Sequence, residues 1–418
     1  MPRPKSILWI DDEVDGLAAH RRFLEQQGFA VTQAAHGDDA LAMLRRQPYS
    51  VVLLDEQMPG RRGLELLPEI RAIDPAMAVV MVTQSEDDSV LRILCVRFSS
   101  IGDVLLTTPL LRALKRRHPD AEVYFVTKSA MAPLVLENPN LIDVIALETG
   151  ERITDLARRL RALGATDGLD LHGSLRSTAL RWLVPCRWSG YSKRKFARTL
   201  LISTKINVYG KHVPVPERYF EAAHALDLAP DGRPPEFFLA PAARERIARW
   251  LSDRGLEGRA FAALAPGAAH ATKRWPIHHW QALAEQLRRM DYALVALGGP
   301  DDRELASTLG SSVINAAGEF SLQETGACLA RAAVLVSGDT GVMHMATGVG
   351  TPVVALFGPT VEPFGFFPYS SRATVVEGDL DCRPCSAMGT EQCPLGHHRC
   401  LRDIMPDHVA AAVQRLVA

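Results

Sequence analysis

The sequence predicts an α/β protein built from parallel sheets, and three observations carry that prediction. Short apolar runs rich in β-branched and aliphatic residues alternate with amphipathic helical stretches along almost the whole chain. The apolar runs are continuous, which is typical of strands that helices cover on both faces. The alternation restarts at residues 93–98 (ILCVRF), which form a new buried strand, so we expect more than one sheet.

Composition places the chain among globular proteins. Its 418 residues allow two or three domains of about 150 residues each. The balance of 47% hydrophobic and 23% charged residues excludes disorder, and a net charge of -1 gives no overall field that would attract nucleic acid. The N-terminus turns acidic after one short apolar run, and no apolar stretch reaches the roughly 18 residues of a membrane-spanning helix. We therefore expect a cytoplasmic protein whose membrane contact is peripheral.

Changes in composition along the chain mark the domain boundaries. An acidic stretch at residues 85–91 separates a first α/β segment from the strand that follows. A proline-rich stretch at residues 230–235 separates two further α/β segments, and a helix is expected over residues 104–119. The predicted domains are residues 1–91, residues 92–235 and residues 241–418.

Three carboxylates stand at strand ends in the first domain. Asp11 and Asp12 follow the first strand, and Asp55 ends the third. Thr83 ends the fourth strand, and residues 58–60 (MPG) follow the third. Carboxylates that meet at the carboxyl edge of a parallel sheet make an oxygen site suited to magnesium. This arrangement resembles the flavodoxin-like receiver domain of two-component response regulators.

The receiver resemblance implies a role for each of these residues. Asp55 would accept a phosphoryl group from a histidine kinase, and Thr83 would sense it. The magnesium ligands would be Asp11, Asp12 and Asp55. Family members continue through another helix and a fifth strand that bears a lysine, but here the chain passes directly into ILCVRF without an identifiable equivalent. A working switch and a vestigial segment with a missing sheet edge both stay open, and an artificial joining of two genes would leave the same sequence.

Four strand-end motifs organise the rest of the chain. RFSSIGD places Asp103 at a strand-to-helix turn, where the helix dipole favours a carboxylate, although a helix cap without chemistry would look the same. LAPGAAHATKRWP places Lys273, a compact charge suited to diphosphate, beside a glycine-bearing loop. VSGDTGVMH, which ends at His344, opens a helix whose free N–H groups form an anion site. ALGGPDD places Asp302 where it would lie under a nucleotide.

Together these motifs resemble glycosyltransferase family 9, the ADP-heptose:lipopolysaccharide heptosyltransferases, over residues 92–418. The resemblance implies two Rossmann-like domains that face each other across a cleft, the GT-B architecture. It also implies a single inverting transfer of heptose or a related sugar from ADP-heptose to the core or lipid A part of a lipopolysaccharide, with no cofactor required. Asp103 matches the family's general base, and Lys273 would stabilise the leaving diphosphate. The residues that would bind the donor are Asp339, Thr340, Gly341, His344 and, on the ribose hydroxyls, Asp302.

Cations of the predicted second domain are candidates for binding an acidic acceptor. Clustered lysine and arginine side chains suit a phosphorylated sugar-lipid, which the protein would meet at the inner face of the inner membrane. The alternative is a solvated, charged helix face. The candidate acceptor-binding residues are Arg176, Lys193, Arg194, Lys195 and Arg198.

Four cysteines cluster near the C-terminus with the spacing C-x2-C-x7-C-x6-C. Such a density of thiols in a cytoplasmic protein predicts a structural zinc site, with spacing looser than in a standard zinc ribbon. Reduced, unliganded cysteines and then disulfides are the alternatives. The four residues are Cys382, Cys385, Cys393 and Cys400.

Two other functional classes compete with a transferase. One is a signalling protein whose C-terminal region binds a nucleotide sugar without turning it over. A complete set of acid-base and diphosphate-binding residues beside a truncated receiver favours catalysis over that class. The other is a dehydrogenase, but no G-x-G-x-x-G motif follows any of the predicted strands. The predicted function is therefore a glycosyltransferase.

Overall fold

The computed structural model describes residues 5–12, 18–56, 58, 61–82 and 90–418. The chain forms two compact units, Met1–Val90 and Leu91–Ala418. All strand pairings in both units are parallel, which confirms the predicted fold class. Thr83, Pro59, Gly60 and most of the predicted acidic boundary lie outside the described residues.

The described part of the first unit is a small parallel sheet with helices. The strands follow the order β2-β1-β3-β4, and apolar side chains of the central strands, such as Leu8 and Leu54, are fully buried. Because β4 is the last strand in this order, the position after it is a sheet edge within the described residues. The elements are β1 (Ser6–Ile10), α1 (Ala18–Gln26), β2 (Ala30–Ala34), α2 (Gly37–Arg46), β3 (Val51–Asp55), α3 (Gly63–Ile73) and β4 (Ala78–Val82).

The second unit begins with a five-stranded parallel sheet of order β7-β6-β5-β8-β9. Its central strand is the ILCVRF run, in which Ile93 and Val96 are fully buried. The elements are β5 (Arg92–Val96), α4 (Ile101–Leu105), α5 (Thr108–Arg117), β6 (Glu122–Lys128), β7 (Asp143–Leu147), α6 (Ile153–Arg161), β8 (Asp167–Asp170), α7 (Leu175–Leu183), β9 (Arg187–Gly190), α8 (Lys195–Thr204) and α9 (Val215–Arg218). Short 3-10 helices cover Ser129–Leu134 and Tyr219–Leu226.

The single helix expected over residues 104–119 is wrong, because two helices, α4 and α5, occupy that stretch. The hydroxyl of Thr107 donates to the carbonyl of Val104, and that of Thr108 donates to Leu105, both at 2.7 Å. Pro109 then stands in the first turn of α5, where its missing N–H costs nothing. Consequently α4 is a short helix, separate from α5, with a direction of its own.

The proline-rich connection is held against helix α5 before the chain enters the next sheet. Arg112 of α5 forms a salt bridge with Asp231 at 2.9 Å and another with Glu236 at 3.0 Å. The following elements are α10 (Pro241–Ser252), β10 (Phe261–Ala265), α11 (Ile277–Arg289), β11 (Ala293–Ala296), α12 (Arg303–Ser307), β12 (Val313–Asn315), α13 (Leu322–Leu329), β13 (Val334–Gly338), α14 (Gly341–Val349), β14 (Val353–Phe357), β15 (Ala373–Glu377), α15 (Arg399–Arg402) and α16 (Pro406–Val417). Further 3-10 helices cover Ala271–Lys273, Pro300–Asp302 and Glu362–Phe364.

The second sheet of this unit has six parallel strands in the order β12-β11-β10-β13-β14-β15. Strands β10 and β13 are buried along their whole length. In each of the two sheets of this unit, the strand order reverses beside the strand that comes first in sequence. The reversal lies between β5 and β8 in one sheet and between β10 and β13 in the other. Open parallel sheets bind ligands at the carboxyl ends of the strands beside such a switch point. Loops that follow β5, β8, β10 and β13 are therefore where a site is expected.

Candidate active site

Asp103 lies in the first turn of α4, directly after β5. Its carboxylate forms an ion pair with Arg97 and accepts a hydrogen bond from the Ser100 hydroxyl at 2.7 Å. The Ser100 backbone N–H also donates to it, at 3.2 Å, so Asp103 closes a capping box. The side chain keeps 17% of its surface accessible, which leaves room for a substrate hydroxyl to reach it.

Arg97 determines the protonation state of Asp103. Burial alone would raise the pKa of the Asp103 carboxyl, but the Arg97 charge and the Ser100 hydrogen bonds outweigh it and lower the pKa below its ordinary value. Arg97 is itself held by the carbonyls of Ser99, at 2.8 Å, and Leu171, at 2.6 Å. The carboxylate is therefore ionised at neutral pH and fixed in orientation.

Lys273 and Asp339 form the second charged pair of the site. The Lys273 ammonium lies 2.6 Å from a carboxylate oxygen of Asp339, and only 14% and 11% of the two side chains are exposed. Lys273 ends the short 3-10 helix after β10, and Asp339 follows β13, so the pair spans the switch point of the second sheet. The hydroxyl of the buried Thr360 also donates to Asp339, at 2.8 Å.

Two helix N-termini, those of α4 and α14, meet across the cleft. A Cβ atom on Gly102 would lie 2.3 Å from the His344 ring, and one on Gly341 would lie 2.8 Å from Ile101. Only glycine permits this approach at both positions. The sheet that contains β5 and the sheet that contains β13 therefore present their carboxyl edges to each other, as the predicted GT-B arrangement requires.

His344 lies between the two charged pairs. Its ring is 4% exposed, and its Nδ1 has no hydrogen-bond partner in the described part of the chain. Burial lowers its pKa; the Lys273 charge adds to this effect, and the carboxylates of Asp339 and Asp103 oppose it. The imidazole is consequently neutral at neutral pH, and its buried Nδ1 makes no hydrogen bond within the described residues.

The other predicted donor residues lie at the same edge of the second sheet. Thr340 precedes α14, and its hydroxyl lies 3.0 Å from that of Ser337. Asp302 packs over the loop after β10, since a Cβ on Gly267 would lie 1.9 Å from its carboxylate. The same carboxylate accepts the backbone N–H of Gly299 at 2.9 Å. A ribose contact by Asp302 stays a prediction.

The predicted acceptor cations differ in their surroundings, and their role stays a prediction. Arg194 is paired with Glu221 at 2.6 Å, which occupies it within the chain. Arg176 is exposed and lines a pocket of about 440 Å³ that also contains Lys128, Glu148 and Glu151, so opposite charges offset one another there. Lys195 is exposed and Arg198 is partly buried, both on α8.

Lys193 is the cation of this group that lies nearest the site. Its stem packs on Gly173, where a Cβ would lie 3.2 Å from it, in the loop after β8. Burial lowers the pKa of Lys193, with a further contribution from the charge of Arg97, while Asp103 and Asp170 oppose the shift. An anionic group bound near Asp103 would therefore meet Lys193 first.

The three carboxylates predicted to hold magnesium come together in the first unit. Ligand oxygens of Asp11, Asp12 and Asp55 lie within 4.8 Å of one another. The Oδ1 atom of Asp55 is buried and makes no hydrogen bond among the described residues. A divalent cation would satisfy that oxygen, so the residues present fit the ion.

The cysteine cluster lies beside β14 and the loop that carries Lys273. All four thiols are free, and Cys382 and Cys393 both contribute to raising the pKa of Cys385 and Cys400, after burial as the larger cause. The aspartate triad is the one group of three in the described chain whose ligand atoms approach within 4.8 Å. The thiols are therefore neighbours without forming a closed ligand set.

Several residues of the site were not identified from the sequence. Arg97 opens the RFSSIGD motif, but no role was predicted for it from the sequence. Tyr191 and Tyr219 pack edge-to-face beside Arg97, with ring centroids 4.8 Å apart. His172 follows β8; burial, together with the charges of Arg97 and Lys193, lowers its pKa to about 4. Thr360 stands in LFGPT, after β14. The usable signal was position for four of them, because Arg97, His172, Tyr191 and Thr360 each follow the end of a strand within three residues, whereas Tyr219 lies in a 3-10 helix.

This geometry defines a class of protein. Two Rossmann-like sheets face each other, with an ionised carboxylate on one side and a lysine, a neutral histidine and a helix N-terminus on the other. The carboxylate suits deprotonation of a hydroxyl, and the groups on the other side suit binding and stabilisation of a departing diphosphate. That combination is typical of a glycosyltransferase that uses nucleotide-activated sugars.

Comparison with known proteins identifies the family. A family model described as glycosyltransferase family 9 (heptosyltransferase) matches residues 153–395. That is more than half of the chain, and the chain belongs to this family. The predicted enzyme class is thereby confirmed.

Curated relatives and solved structures agree with that assignment. The chain is 26% identical over 358 residues to lipooligosaccharide heptosyltransferase 2 of Haemophilus influenzae, covering 78% of this chain and all of the relative. It is 29% identical over 321 residues to lipopolysaccharide heptosyltransferase 1 of Pseudomonas aeruginosa, covering 71% and 86%. The solved ADP-heptose LPS heptosyltransferase II of Escherichia coli matches with a TM-score of 0.62 and 25% identity, over 78% and 98% of the two chains.

A second family model, the response regulator receiver domain, matches residues 7–98 and confirms the resemblance of the first unit. The match runs through β5, yet β5 pairs with β6 and β8 in the sheet of the second unit. In the position of the receiver's last strand, the chain therefore carries the first strand of the transferase. No helix among the described residues is long and apolar enough to cross a membrane.

Proposed function

We propose that this chain is an inverting heptosyltransferase that moves heptose from ADP-heptose to the core of a lipopolysaccharide. The observation that carries the proposal is the pairing of Asp103 with Arg97 opposite the pairing of Lys273 with Asp339, across one cleft. The names of the relatives supply the sugar and the acceptor class.

In the proposed reaction, Asp103 accepts the proton of the acceptor hydroxyl as that oxygen attacks the anomeric carbon. A bond forms between the acceptor oxygen and this carbon, and the bond from the carbon to the diphosphate oxygen breaks. Lys273 and the N–H groups at the start of α14 stabilise the negative charge on the departing ADP. His344, in the first turn of α14 and close to Lys273 and Asp339, would contact the donor. Side chains and backbone N–H groups of the protein supply all of these functions, so the scheme requires no metal.

Arg97 has a specific part in this scheme. By lowering the pKa of Asp103 it keeps the base ionised, at the cost of some basicity. The loss of basicity is offset because the Asp103 carboxylate is held rigidly and has to accept only one proton. Arg97 is a positioning residue for the base.

We propose that the acceptor and the membrane contact the transferase unit on the side of helices α7 and α8. Leu175, Trp182 and Phe196 are 91%, 87% and 79% exposed on α7 and α8. Arg176 and Lys195 are exposed beside them in sequence. Aromatic side chains flanked by cations suit the headgroup region of an anionic bilayer, where a lipid-linked acceptor resides. Protein held there in the cytoplasm would act at the inner face of the inner membrane.

Two metal sites stay proposals. Asp11, Asp12 and Asp55 would hold Mg²⁺, whose charge allows the Asp55 carboxylate to take a phosphoryl group from a histidine kinase. Zinc would require the sulfurs of Cys382, Cys385, Cys393 and Cys400 to move closer together, and it would offset the mutual repulsion of their thiolates. Metal content of the purified chain distinguishes zinc from reduced thiols.

The experiment that tests the function uses the full chain with ADP-heptose, with and without a heptose-deficient lipopolysaccharide. Release of ADP that depends on the acceptor supports the transferase. Tight ADP-heptose binding with no release in either case would favour the nucleotide-sugar-binding signalling protein. Release that is independent of acceptor would show a hydrolase instead.

A further inference from the structure

The segment of residues 382–400, which we call the cysteine-rich segment, contacts both members of the Lys273–Asp339 pair through one threonine each. Neither threonine belongs to the ion pair. Thr272 precedes Lys273 in sequence, and Thr360 binds Asp339 directly. Both are 4% exposed.

On the lysine side, Thr272 is tied to Thr390 by three hydrogen bonds. The Thr272 backbone N–H and hydroxyl donate to the Thr390 carbonyl, at 3.0 and 2.8 Å. The Thr390 backbone N–H donates to the Thr272 hydroxyl oxygen at 2.7 Å. In addition, Nε2 of His398 lies 2.9 Å from the Thr272 carbonyl oxygen. The backbone that carries Lys273 is thus fixed by groups more than a hundred residues away.

On the aspartate side, Arg383 fixes Thr360. Its guanidinium donates to the Thr360 carbonyl at 2.9 Å, and it also donates to the carbonyls of Gly358 and Gly378. An ion pair with Glu377 completes its contacts, and the Arg383 side chain is 7% exposed. The hydroxyl of Thr360 then donates to Asp339. A continuous chain of hydrogen bonds leads from the cysteine-rich segment to the carboxylate.

Gly389 brings the middle of the cysteine-rich segment against the lysine stem itself. Its φ is +99°, and a Cβ there would lie 3.2 Å from Cγ of Lys273 and 2.8 Å from Cβ of His270. Lysine has a flexible stem with several rotatable bonds, so its ammonium is well placed only if neighbours restrict the stem. The segment supplies that restriction.

We propose that the cysteine-rich segment is a positioning element of the donor site, and that Thr272 and Thr360 are the positioning residues through which it holds Lys273 and Asp339 against the diphosphate. This inference rests on the proposed function for the identity of the diphosphate ligand. It assigns to a segment remote in sequence a direct effect on donor affinity.

The first test compares Thr272→Val, which removes the hydroxyl at nearly equal volume, with Thr272→Ser, which retains it. The matched control is Thr351→Val, because the buried Thr351 hydroxyl donates to the Leu329 carbonyl at 2.7 Å, on the same domain at the start of β14. Thr272→Val removes both hydrogen bonds of the Thr272 hydroxyl to Thr390, and we expect it to weaken ADP binding and raise the donor KM about tenfold. Thr272→Ser should restore both values, and the acceptor KM should change less than twofold in every variant.

The second test keeps every hydrogen-bonding side chain. Gly389→Ala and Gly396→Ala both place a Cβ at a positive φ in the cysteine-rich segment, but only at Gly389 does a neighbour lie within 4 Å. Both substitutions should lower the melting temperature, Gly389→Ala by more because its Cβ lies 2.8 Å from Cβ of His270, and only Gly389→Ala should weaken ADP binding. This pair decides the matter if Thr272→Val does not fold.

Calorimetric titration of ADP separates this inference from the proposed function, because it needs no turnover. ADP affinity that falls in Thr272→Val and Gly389→Ala but not in their controls supports the positioning role, even if the wild type transfers no heptose. Folded variants that bind ADP as the wild type does would overturn it. A Thr351→Val variant that loses ADP affinity equally would also overturn it, since the effect would then be general destabilisation.

Discussion

The two units place carboxylates at the same position of a parallel sheet but balance their charge differently. In the transferase unit, Asp103 is paired with Arg97, and Asp339 is paired with Lys273. In the first unit, Asp11, Asp12 and Asp55 converge within 4.8 Å, and a buried oxygen of Asp55 makes no hydrogen bond among the described residues. The first arrangement carries its counter-charges within the chain, whereas the described residues of the second fit a divalent cation. Position at a sheet edge thus gives a site, and the neighbouring cations decide its chemistry.

The largest effect is expected from Asp103→Asn, which removes the base but keeps the shape. The kcat should fall about 10²- to 10⁴-fold, the usual contribution of a positioned general base. ADP affinity should stay within twofold, because Asp103 belongs to the acceptor side. Asp155→Asn, which breaks the exposed pair with Arg158, is the control and should leave kcat unchanged. Turnover by Asp103→Asn at the wild-type rate would remove Asp103 from its role.

Lys273→Met should have the next largest effect. Loss of the cation that faces the departing diphosphate is expected to lower kcat about 10²- to 10³-fold, as for loss of one oxyanion-stabilising group. The variant also leaves Asp339 without its partner, so ADP affinity should fall. The control Arg274→Met removes the adjacent, exposed cation, which donates to the Ala268 carbonyl at 2.9 Å. Steady-state kinetics in which both variants lose activity equally would contradict a specific role for Lys273.

Arg97→Met should change the pH dependence. In the wild type the lowered pKa of Asp103 keeps the base ionised down to pH values below its ordinary 3.8, so kcat/KM should be flat from neutral to mildly acidic pH. Without Arg97 only the Ser100 hydrogen bonds still oppose the effect of burial, so the pKa of Asp103 rises. Activity should then fall as pH drops through that raised pKa. Arg97→Lys, which keeps the charge, should show a smaller displacement, and identical pH profiles for all three proteins would exclude the ion pair as the cause.

The smallest effect on turnover is expected from metal ions. Saturating Mg²⁺ should stabilise the first unit by about 1–3 kcal/mol through mass action, and Asp55→Asn should abolish that gain. Hydrogen exchange over β1 and β3 measures this, with Glu25→Gln on α1 as a control that retains it. EDTA should leave heptose transfer within twofold. A strong loss of heptose transfer in EDTA would contradict the difference in charge balance between the two units.

Much of the fold and the site was predictable because parallel sheets put function at strand ends. Asp103, Lys273, Asp339 and His344 each follow the end of a strand within eight residues, and the structure brings them close together. The break between α4 and α5 was missed because it depends on hydroxyl groups of Thr107 and Thr108 that cap the first helix, a choice that helical periodicity does not reveal.

What depends on long-range contacts was not predictable. The pairing of Arg194 with Glu221, 27 residues later, is one example, and the role of Arg194 in acceptor binding stays a prediction. Thr272 and Thr390 are 118 residues apart, and their hydrogen bonds follow from the path of the chain around β14, which no local pattern specifies. Local sequence therefore identified the reacting groups, and the groups that hold them became visible only in the structure.

The central claim is a single displacement in which one face of the cleft activates the acceptor and the other holds ADP. Nuclear magnetic resonance of the product made by the full chain from ADP-heptose and heptose-deficient lipopolysaccharide tests this most directly. The account predicts one new heptosyl residue whose anomeric configuration is opposite to that of the donor. A product that retains the donor configuration would require a covalent sugar intermediate and a second nucleophile, and it would contradict the account.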